Sequence, residues 1–467
     1  MRSGQSGIRA LVLILASARL GAAADRITFN KDVAPILQRH CQSCHRPGQP
    51  APMPLLTWQA ARPWAKAIRN AVASRTMPPW FADPRYGHFA NDPSLSQAEI
   101  DILVNWANDG STEGDPRDLP SPVAWPEGGW QIQPDVVVTL PPNLVPAKGV
   151  VEWTYVKVPT GFAKDTWVTS IEVLPGDPSV VHHAGVFVRP RAANSRNDVK
   201  YGEPFWSEVM RDEAGAAKPG EEFGGANFVR GSGELVPGDP LAGISATVAF
   251  YVPGSRAMDY RIHHAAQLIP ANADLVIQLH YTPNGKEAVD VTRIGFTLAK
   301  ERPQRRFITW SPQPPEISNR DVFRIPPGDP NWNSPPVDGV FLVDAELVWF
   351  LPHMHLRGKD MTYTVTHPDG KSEIALSVPK YDFRWQIGYE TLTPIQVTKG
   401  TRIHVDAHYD NSVNNKFNPD PTRDVYGGTQ TWEEMMVPFF GVVVDARVDP
   451  RKVMILPGQA GVVGTLQ

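Results

Sequence analysis

The sequence predicts a multidomain protein in which a small all-α domain precedes an all-β region built from two sandwiches. The chain has 467 residues, more than one hydrophobic core normally holds. Proline accounts for 47 of them, twice the usual ~5%, which favours loops and short strands over long helices. Helical spacing is concentrated before residue 116, whereas short β-branched runs bounded by Pro or Gly dominate after residue 130.

Composition and charge exclude several classes of protein. Hydrophobic residues make up 42% of the chain and charged residues 20%, a composition typical of a soluble globular protein and not of a disordered one. The formal net charge of −4 argues against a nucleic-acid partner, which would call for a basic face. The chain has two cysteines, both in one short motif, so a disulfide-stapled scaffold is excluded.

Residues 1–24 have the features of an export signal. Arg2 and Arg9 give a positive start, and the apolar run 10–18 is too short to span a bilayer. Residues 22–24 are all alanine and offer a cleavage site before Asp25. We therefore expect a periplasmic or secreted protein whose mature chain has no membrane span; an uncut membrane anchor is the alternative.

The predicted helical domain covers residues 25–115, and a Pro- and Asp-rich linker covers residues 116–130. Helical spacing appears over residues 30–40 and 57–75, the second interrupted by Pro63. Ser96 and Glu99 form a capping box that opens a further helix, and Gly110 is placed to end it.

Cys41-Gln42-Ser43-Cys44-His45 is the attachment signal of a c-type haem. The two thiols would bind one haem covalently, and His45 would be an axial ligand of the iron. The iron would need a second axial ligand, usually Met or His, and the candidates in this region are Met77, Met53 and His88. A redox Cys-x-x-Cys without haem is the alternative interpretation.

The β region is too long for one sandwich, so we expect a first sandwich over residues 131–302 and a second over residues 303–467. Residues 300–313 are the candidate passage between the two sandwiches.

Ten of the thirteen histidines follow the linker, and a few lie in patterns suited to metal binding. His182 and His183 are neighbours, so both could face one ion only where the strand is irregular or ending. His280 closes an alternating strand. His353 and His355 are two residues apart, which puts both imidazoles on one side of a strand. We expect the adjacent residues His263 and His264 either at the surface or next to the metal ligands, without binding the metal themselves.

His404 and His408 share a face with Asp406, from which they could hydrogen-bond metal ligands from outside. Met435, in Glu433-Glu434-Met435-Met436, is by itself a typical core residue.

Two resemblances give these patterns a common meaning. The helical region, with Thr76-Met77-Pro78-Pro79-Trp80, resembles the single-haem cytochrome c domains of exported bacterial proteins. This resemblance makes Met77 the predicted distal ligand of the haem iron, with Met53 and His88 as competitors. Residues 130–467 resemble the copper type II, ascorbate-dependent monooxygenases, the peptidylglycine and dopamine hydroxylases. The motifs that carry this resemblance, in family order, are His182-His183, Gln278-Leu279-His280-Tyr281, His353-Met354-His355-Leu356 and Glu433-Glu434-Met435.

The second resemblance implies two jelly-roll sandwiches with one copper on each. His182, His183 and His280 would hold an electron-storing copper. His353, His355 and Met435 would hold the copper that meets dioxygen, with Met436 as the fallback ligand. Three imidazoles suit both copper oxidation states, and a thioether favours Cu(I).

Together with the export signal, the two resemblances imply an exported copper-dependent monooxygenase that hydroxylates a C–H bond of an unknown small-molecule or peptide substrate. It would use dioxygen, an electron donor and a fused c-type haem. A non-catalytic haem and copper electron-transfer or copper-binding protein is the alternative. A zinc hydrolase on His353 and His355 is a third, although methionine is a poor zinc ligand.

Overall fold

The computed structural model describes residues 26–151, 153–189, 200–205, 247–428 and 430–456. The predicted signal peptide, residues 1–24, lies outside these described residues. Within them the protein is mostly β, with few and short helices. None of the described helices has the length and apolar character needed to cross a membrane.

The α-helices of the described chain precede the first strand. They are α1 (Ala34–His40), α2 (Trp58–Ala61), α3 (Ala65–Ala73) and α4 (Gln97–Asn108), with a π-helical turn at Phe29–Val33 and a 3-10 turn at Arg62–Trp64. Their buried faces form a hydrophobic cluster separate from the β core, which includes Phe29, Leu37, Ile68, Leu103 and Trp106.

Local sequence explains where these helices begin and end. The Ser96 hydroxyl accepts from the Glu99 N–H, and the Glu99 carboxylate accepts from the Ser96 N–H, which confirms the predicted capping box of α4. Gly110, with φ +90°, follows the last turn, as expected of a helix-ending glycine. The 3-10 turn that contains Pro63 divides the predicted helix 57–75.

The first β half contains twelve strands of the described chain. They are β1 (Val136–Thr139), β2 (Asn143–Val145), β3 (Thr154–Pro159), β4 (Thr166–Leu174), β5 (Val181–Arg189), β6 (Pro204–Phe205), β7 (Thr247–Tyr251), β8 (Met258–Asp259), β9 (Gln267–Ile269), β10 (Asp274–Tyr281), β11 (Ala288–Asp290) and β12 (Arg293–Leu298). Sheet 1 has the order β1-β12-β4-β8, with β9 also on β4, and sheet 2 has the order β6-β3-β10-β5-β7.

The second β half also contains twelve described strands. They are β13 (Arg305–Trp310), β14 (Arg324–Ile325), β15 (Trp332–Asn333), β16 (Val337–Phe341), β17 (Ala345–His353), β18 (Gly358–Thr366), β19 (Ser372–Val378), β20 (Tyr389–Val397), β21 (Arg402–Tyr409), β22 (Val425–Tyr426), β23 (Val437–Asp445) and β24 (Met454–Ile455). Sheet 3 has the order β13-β23-β17-β20, and sheet 4 has the order β19-β18-β21-β16-β24, with β15 also on β21.

Sheets 2 and 3 meet, which brings the two β halves together. Phe250 of β7 stacks on Trp349 of β17 at a ring-centroid distance of 6.0 Å, and it meets Phe439 of β23 at 4.7 Å. Buried apolar residues of both halves form one continuous hydrophobic cluster. Side chains on the facing surfaces of sheets 2 and 3 are therefore shielded from water, whichever half they come from.

Candidate metal centre

Three of the predicted ligands lie together on sheet 2. His182 and His183 are on β5 and His280 is on β10, and one ring nitrogen from each lies within 4.8 Å of the others. The Nδ1 atoms of His182 and His183 are 3.0 Å apart. Three imidazole nitrogens at this spacing can share one metal ion.

A β-bulge allows two neighbouring histidines to face the same point. His280 pairs with His183, but the next residue, Tyr281, pairs with Val181, so His182 is an extra residue on β5. Such a residue departs from the strict alternation of a strand, and its side chain can turn toward that of its neighbour. This is the strand irregularity that a shared ion requires.

Hydrogen bonds orient the second pair of histidines. Nδ1 of His353, at the end of β17, lies 2.6 Å from Oε1 of Gln386, whose amide NH₂ donates to the Phe383 carbonyl. Nδ1 of His355 lies 3.1 Å from the Glu433 carbonyl. An acceptor at Nδ1 fixes the tautomer that leaves the Nε2 lone pair available, an arrangement typical of metal-bound histidines.

Buried ring nitrogens without partners mark the site further. Nε2 of His183, Nδ1 of His280 and Nε2 of His355 are buried, and none has a hydrogen-bond partner among the described residues. A buried polar atom without a partner costs about 1–3 kcal/mol, so such atoms are rare unless a ligand satisfies them. Three in one cluster fit a metal-binding site.

Burial keeps all five imidazoles neutral. It lowers the pKa of His182 and of His353 to about 4 and that of His280 to about 3. It lowers the pKa of His183 and of His355 well below the ordinary value. A neutral imidazole offers the lone pair that a metal ion needs, so the donors are ready at neutral pH.

The two histidine sets share one pocket between sheets 2 and 3. The ring centroids of His183 and His353 are 6.3 Å apart, although these residues belong to different β halves. Trp153 lies among four of the rings, at centroid distances from 5.2 Å to His183 up to 6.4 Å to His353. Phe383 stacks on His182 at 5.1 Å. Sequence reasoning missed Trp153 and Phe383, because no motif marks either residue.

The segment before β23 carries the predicted methionine ligand. Val437 pairs with His353, so an antiparallel continuation of this register would put Met435 opposite His355. Met435 is buried, and Tyr409 donates to its carbonyl. The sulfur of Met436 accepts a hydrogen bond of 2.8 Å from the Ser334 hydroxyl, so the fallback ligand already has a partner.

A buried carboxylate holds the chain around His355. Glu434 accepts from the backbone N–H of His355 at 3.0 Å and from that of Arg357 at 2.7 Å. Burial raises its pKa to about 7. The Arg357 guanidinium lies 3.9 Å away and favours the charged form. Sequence reasoning used Glu434 only as part of a motif and did not foresee this positioning role.

The remaining histidine clusters have other partners. Nδ1 of His404 bonds to Asp338 at 2.8 Å, and Nδ1 of His408 bonds to Asp360 at 2.7 Å. Both aspartates are the neighbours of these histidines across the ladder of β21, and a supporting role toward metal ligands stays a prediction. His263 lies 3.8 Å from Glu390.

The haem motif follows α1. Nδ1 of His45 lies 3.1 Å from the Met53 carbonyl, and burial lowers its pKa, which leaves a neutral ring with Nε2 available to an iron. Both cysteines are free thiols, and burial raises the pKa of Cys41 to about 12. The backbone carbonyl of Met53 thus lies on the Nδ1 side of His45.

Comparisons with known proteins do not identify a family. No family model matches the chain, and no curated protein matches it. Among solved structures, a chain of the T13 IBDV viral particle is 7% identical with a TM-score of 0.18, and it covers 71% of this chain and 76% of its own. PNGF-II is 8% identical with a TM-score of 0.21, and it covers 66% of this chain and 59% of its own. Similarities this low carry no argument about fold or function.

Proposed function

We propose that the chain is an exported copper-dependent monooxygenase that hydroxylates a C–H bond with dioxygen and takes electrons through a fused c-type haem. The observation that carries the proposal is the pocket of five neutral imidazoles, four of them buried and that of His182 half-buried: His182, His183, His280, His353 and His355. Two sets of nitrogen donors from different halves are more than one structural zinc ion needs.

Copper suits this donor set better than zinc does. Imidazoles bind either metal, but a thioether from Met435 would favour Cu(I). Two bound coppers would supply the two electrons and the dioxygen binding that hydroxylation requires. The residues of the chain do the rest: Gln386 and the Glu433 carbonyl orient His353 and His355, and Trp153 and Phe383 keep water from the rings.

In this proposal each β half is a jelly-roll-like sandwich that carries one copper, as the resemblance implies. The helical segment is a cytochrome c domain that binds one haem through Cys41 and Cys44, with His45 and Met77 as axial ligands. The Met53 carbonyl bonded to His45 supports Met77 over Met53, because a distal ligand must approach the opposite face of the haem.

Metal content and dioxygen consumption together test the proposal. Full-length haem-loaded protein should bind two coppers and consume dioxygen when a one-electron reductant is added. The variant His353→Ala should lose this consumption, because a dioxygen-binding ligand is gone. The matched control is His367→Ala, which removes a histidine that pairs with Glu373 outside the pocket; it should behave as wild type. Equal dioxygen consumption in all three proteins would refute the enzyme.

The enclosure of the pocket favours the second candidate, a non-catalytic copper and haem electron carrier. His353 and His355 are both buried, and Phe383 covers His182. Such a protein would bind two coppers and exchange electrons without consuming dioxygen. Zinc and no copper in protein purified without added metal would support the hydrolase instead.

A further inference from the structure

The second cysteine of the haem motif packs directly on the first β half. Gly254 lies in the turn after β7 with φ +83°, and a Cβ placed there would be 3.1 Å from Sγ of Cys44. A side chain at this position would press on the sulfur that binds the haem. The edge of the haem site at Cys44 is therefore partly covered by the first β half.

A buried tyrosine lies beside the same contact. Tyr251, the last residue of β7, is 9% exposed, and its hydroxyl has no hydrogen-bond partner among the described residues. Burial raises its pKa. Tyr251 precedes Gly254 by three residues, so it lies where β7 leads into the contact with Cys44. A buried hydroxyl without a partner lowers the free energy of unfolding, so its retention here is consistent with a functional role.

The strand of Tyr251 leads to both histidine sets. Tyr251 pairs with Ala184 on β5, and Ala184 is covalently joined to His183. Phe250, the neighbour of Tyr251, contacts Phe439, whose ring lies 6.2 Å from that of His353. β7 thus connects the contact at Cys44 with each of the two histidine sets through a short series of bonded and packed atoms.

We propose that Tyr251 and Gly254 form the electron-entry contact of the metal pocket, where the Cys44 edge of the haem meets the strand next to His183. The inference rests on the proposed function and names the residues that connect its two parts. With both groups bound, one electron would pass from ferrous haem to cupric copper, so that iron would be oxidised and copper reduced by one unit each. No bond forms or breaks, and the phenol of Tyr251 keeps its proton. An external one-electron carrier then reduces the haem again.

Intramolecular electron transfer without dioxygen tests the contact. In full-length protein loaded with haem and Cu(II), flash reduction of the haem should be followed by loss of the ferrous haem absorbance and of the Cu(II) EPR signal. In Tyr251→Leu this step should slow severalfold, with haem and copper content unchanged. The matched control is Tyr260→Leu, a buried tyrosine of the same half that donates to the Val248 carbonyl; it should transfer at the wild-type rate. A wild-type rate in Tyr251→Leu, or equal slowing in both variants, would overturn the inference.

A cross-link tests the contact without any electron transfer. The 3.1 Å distance at Gly254 is close to the roughly 3 Å between a Cβ and the far sulfur of a disulfide. In the full chain without haem and with Cys41→Ala, Gly254→Cys should form a disulfide between positions 44 and 254, detected by peptide mass. Gly285→Cys, which has nothing within 4 Å, should form none. Absence of the 44–254 bond in the Gly254→Cys protein would refute the contact.

The two measurements separate the inference from the function on which it rests. If the cross-link forms but wild-type haem never reduces the copper, the contact is real and the haem-fed enzyme is wrong. If wild-type haem reduces the copper and Tyr251→Leu does so at the same rate, the function stands and this route is wrong.

Discussion

A few buried polar residues determine how the donor atoms are presented. Gln386 and the Glu433 carbonyl each accept at the Nδ1 atom of one histidine and leave its other nitrogen for a metal. Glu434 contacts no ring nitrogen; its carboxylate accepts hydrogen bonds from the backbone N–H groups of His355 and Arg357. Each of these residues matters through the atom that it contacts, because a buried donor or acceptor is costly to leave unpaired.

Glu434→Ala should destabilise the protein and weaken metal binding at His353 and His355. The change leaves two buried N–H groups and the Arg357 guanidinium without their carboxylate, a loss of about 3–5 kcal/mol for a broken buried pair. Denaturant unfolding and copper content per chain measure the two effects.

Two control variants accompany this prediction. Glu434→Gln keeps one acceptor oxygen and should lose less stability than Glu434→Ala. Glu373→Ala removes an exposed carboxylate of β19 and should change neither quantity. Wild-type stability and copper content in Glu434→Ala would contradict the positioning role.

At the scale of elements, the bulge on β5 and the ends of β17 and β23 build the pocket. The bulge adds His182 to the face of His183 and His280. The ladder between β17 and β23 sets His353 against Val437 and so brings the methionine segment alongside. Two sheets, each with its own register, thus supply separate donor sets to one space.

Because the donor sets come from different sheets, His182→Ala and His353→Ala should each lose one of the two expected coppers and retain the other. Copper content per chain after loading and desalting measures this, with His367→Ala as the unchanged control. The ring distance of 6.3 Å between His183 and His353 makes this a demanding test. Loss of both coppers in either variant would show that the two sets form a single site.

At the scale of the molecule, the helical segment and the β halves have separate hydrophobic cores. Residues 89–91, which run beside β20 like a short strand, connect the two. Phe89 bridges to Thr391 of β20, and Ala90 donates to the Glu390 carbonyl. The Asn91 side chain donates to the Gly388 carbonyl and accepts from the Glu390 N–H. Trp80 and Phe89 also pack on Tyr389 of β20, at ring-centroid distances of 4.7 Å and 5.4 Å, so the contact is both polar and apolar.

Separate cores predict two unfolding transitions in denaturant. Haem absorbance should report the helical segment, and near-ultraviolet circular dichroism should report the β halves. Asn91→Ala should lower the midpoint of the first transition, because two docking hydrogen bonds are lost, and leave the second in place. Asn284→Ala, which removes an exposed hydrogen bond to Ser179, is the control. Coincident transitions that Asn91→Ala does not separate would contradict two independent cores.

Features that depend on neighbours in the chain were predictable from the sequence. The capping box of α4 and the turn at Gly110 involve residues a few positions apart, so their interactions are local. The predominance of strands after the linker was predictable from runs of β-branched residues. The period of two that relates His353 and His355 is likewise a property of one strand.

Tertiary structure alone decided which distant residues meet. His182 faces His183 and His280 because the pairing of β5 with β10 shifts by one residue, and pairing between strands about a hundred residues apart leaves no local signal. The contact of sheet 2 with sheet 3 decided that both histidine sets share one pocket with Trp153. It also set Glu434 against the backbone of His355 and Gly254 against Cys44. These contacts arise from the packing of whole faces, whose relative placement is fixed by the summed burial of many side chains and not by any short motif.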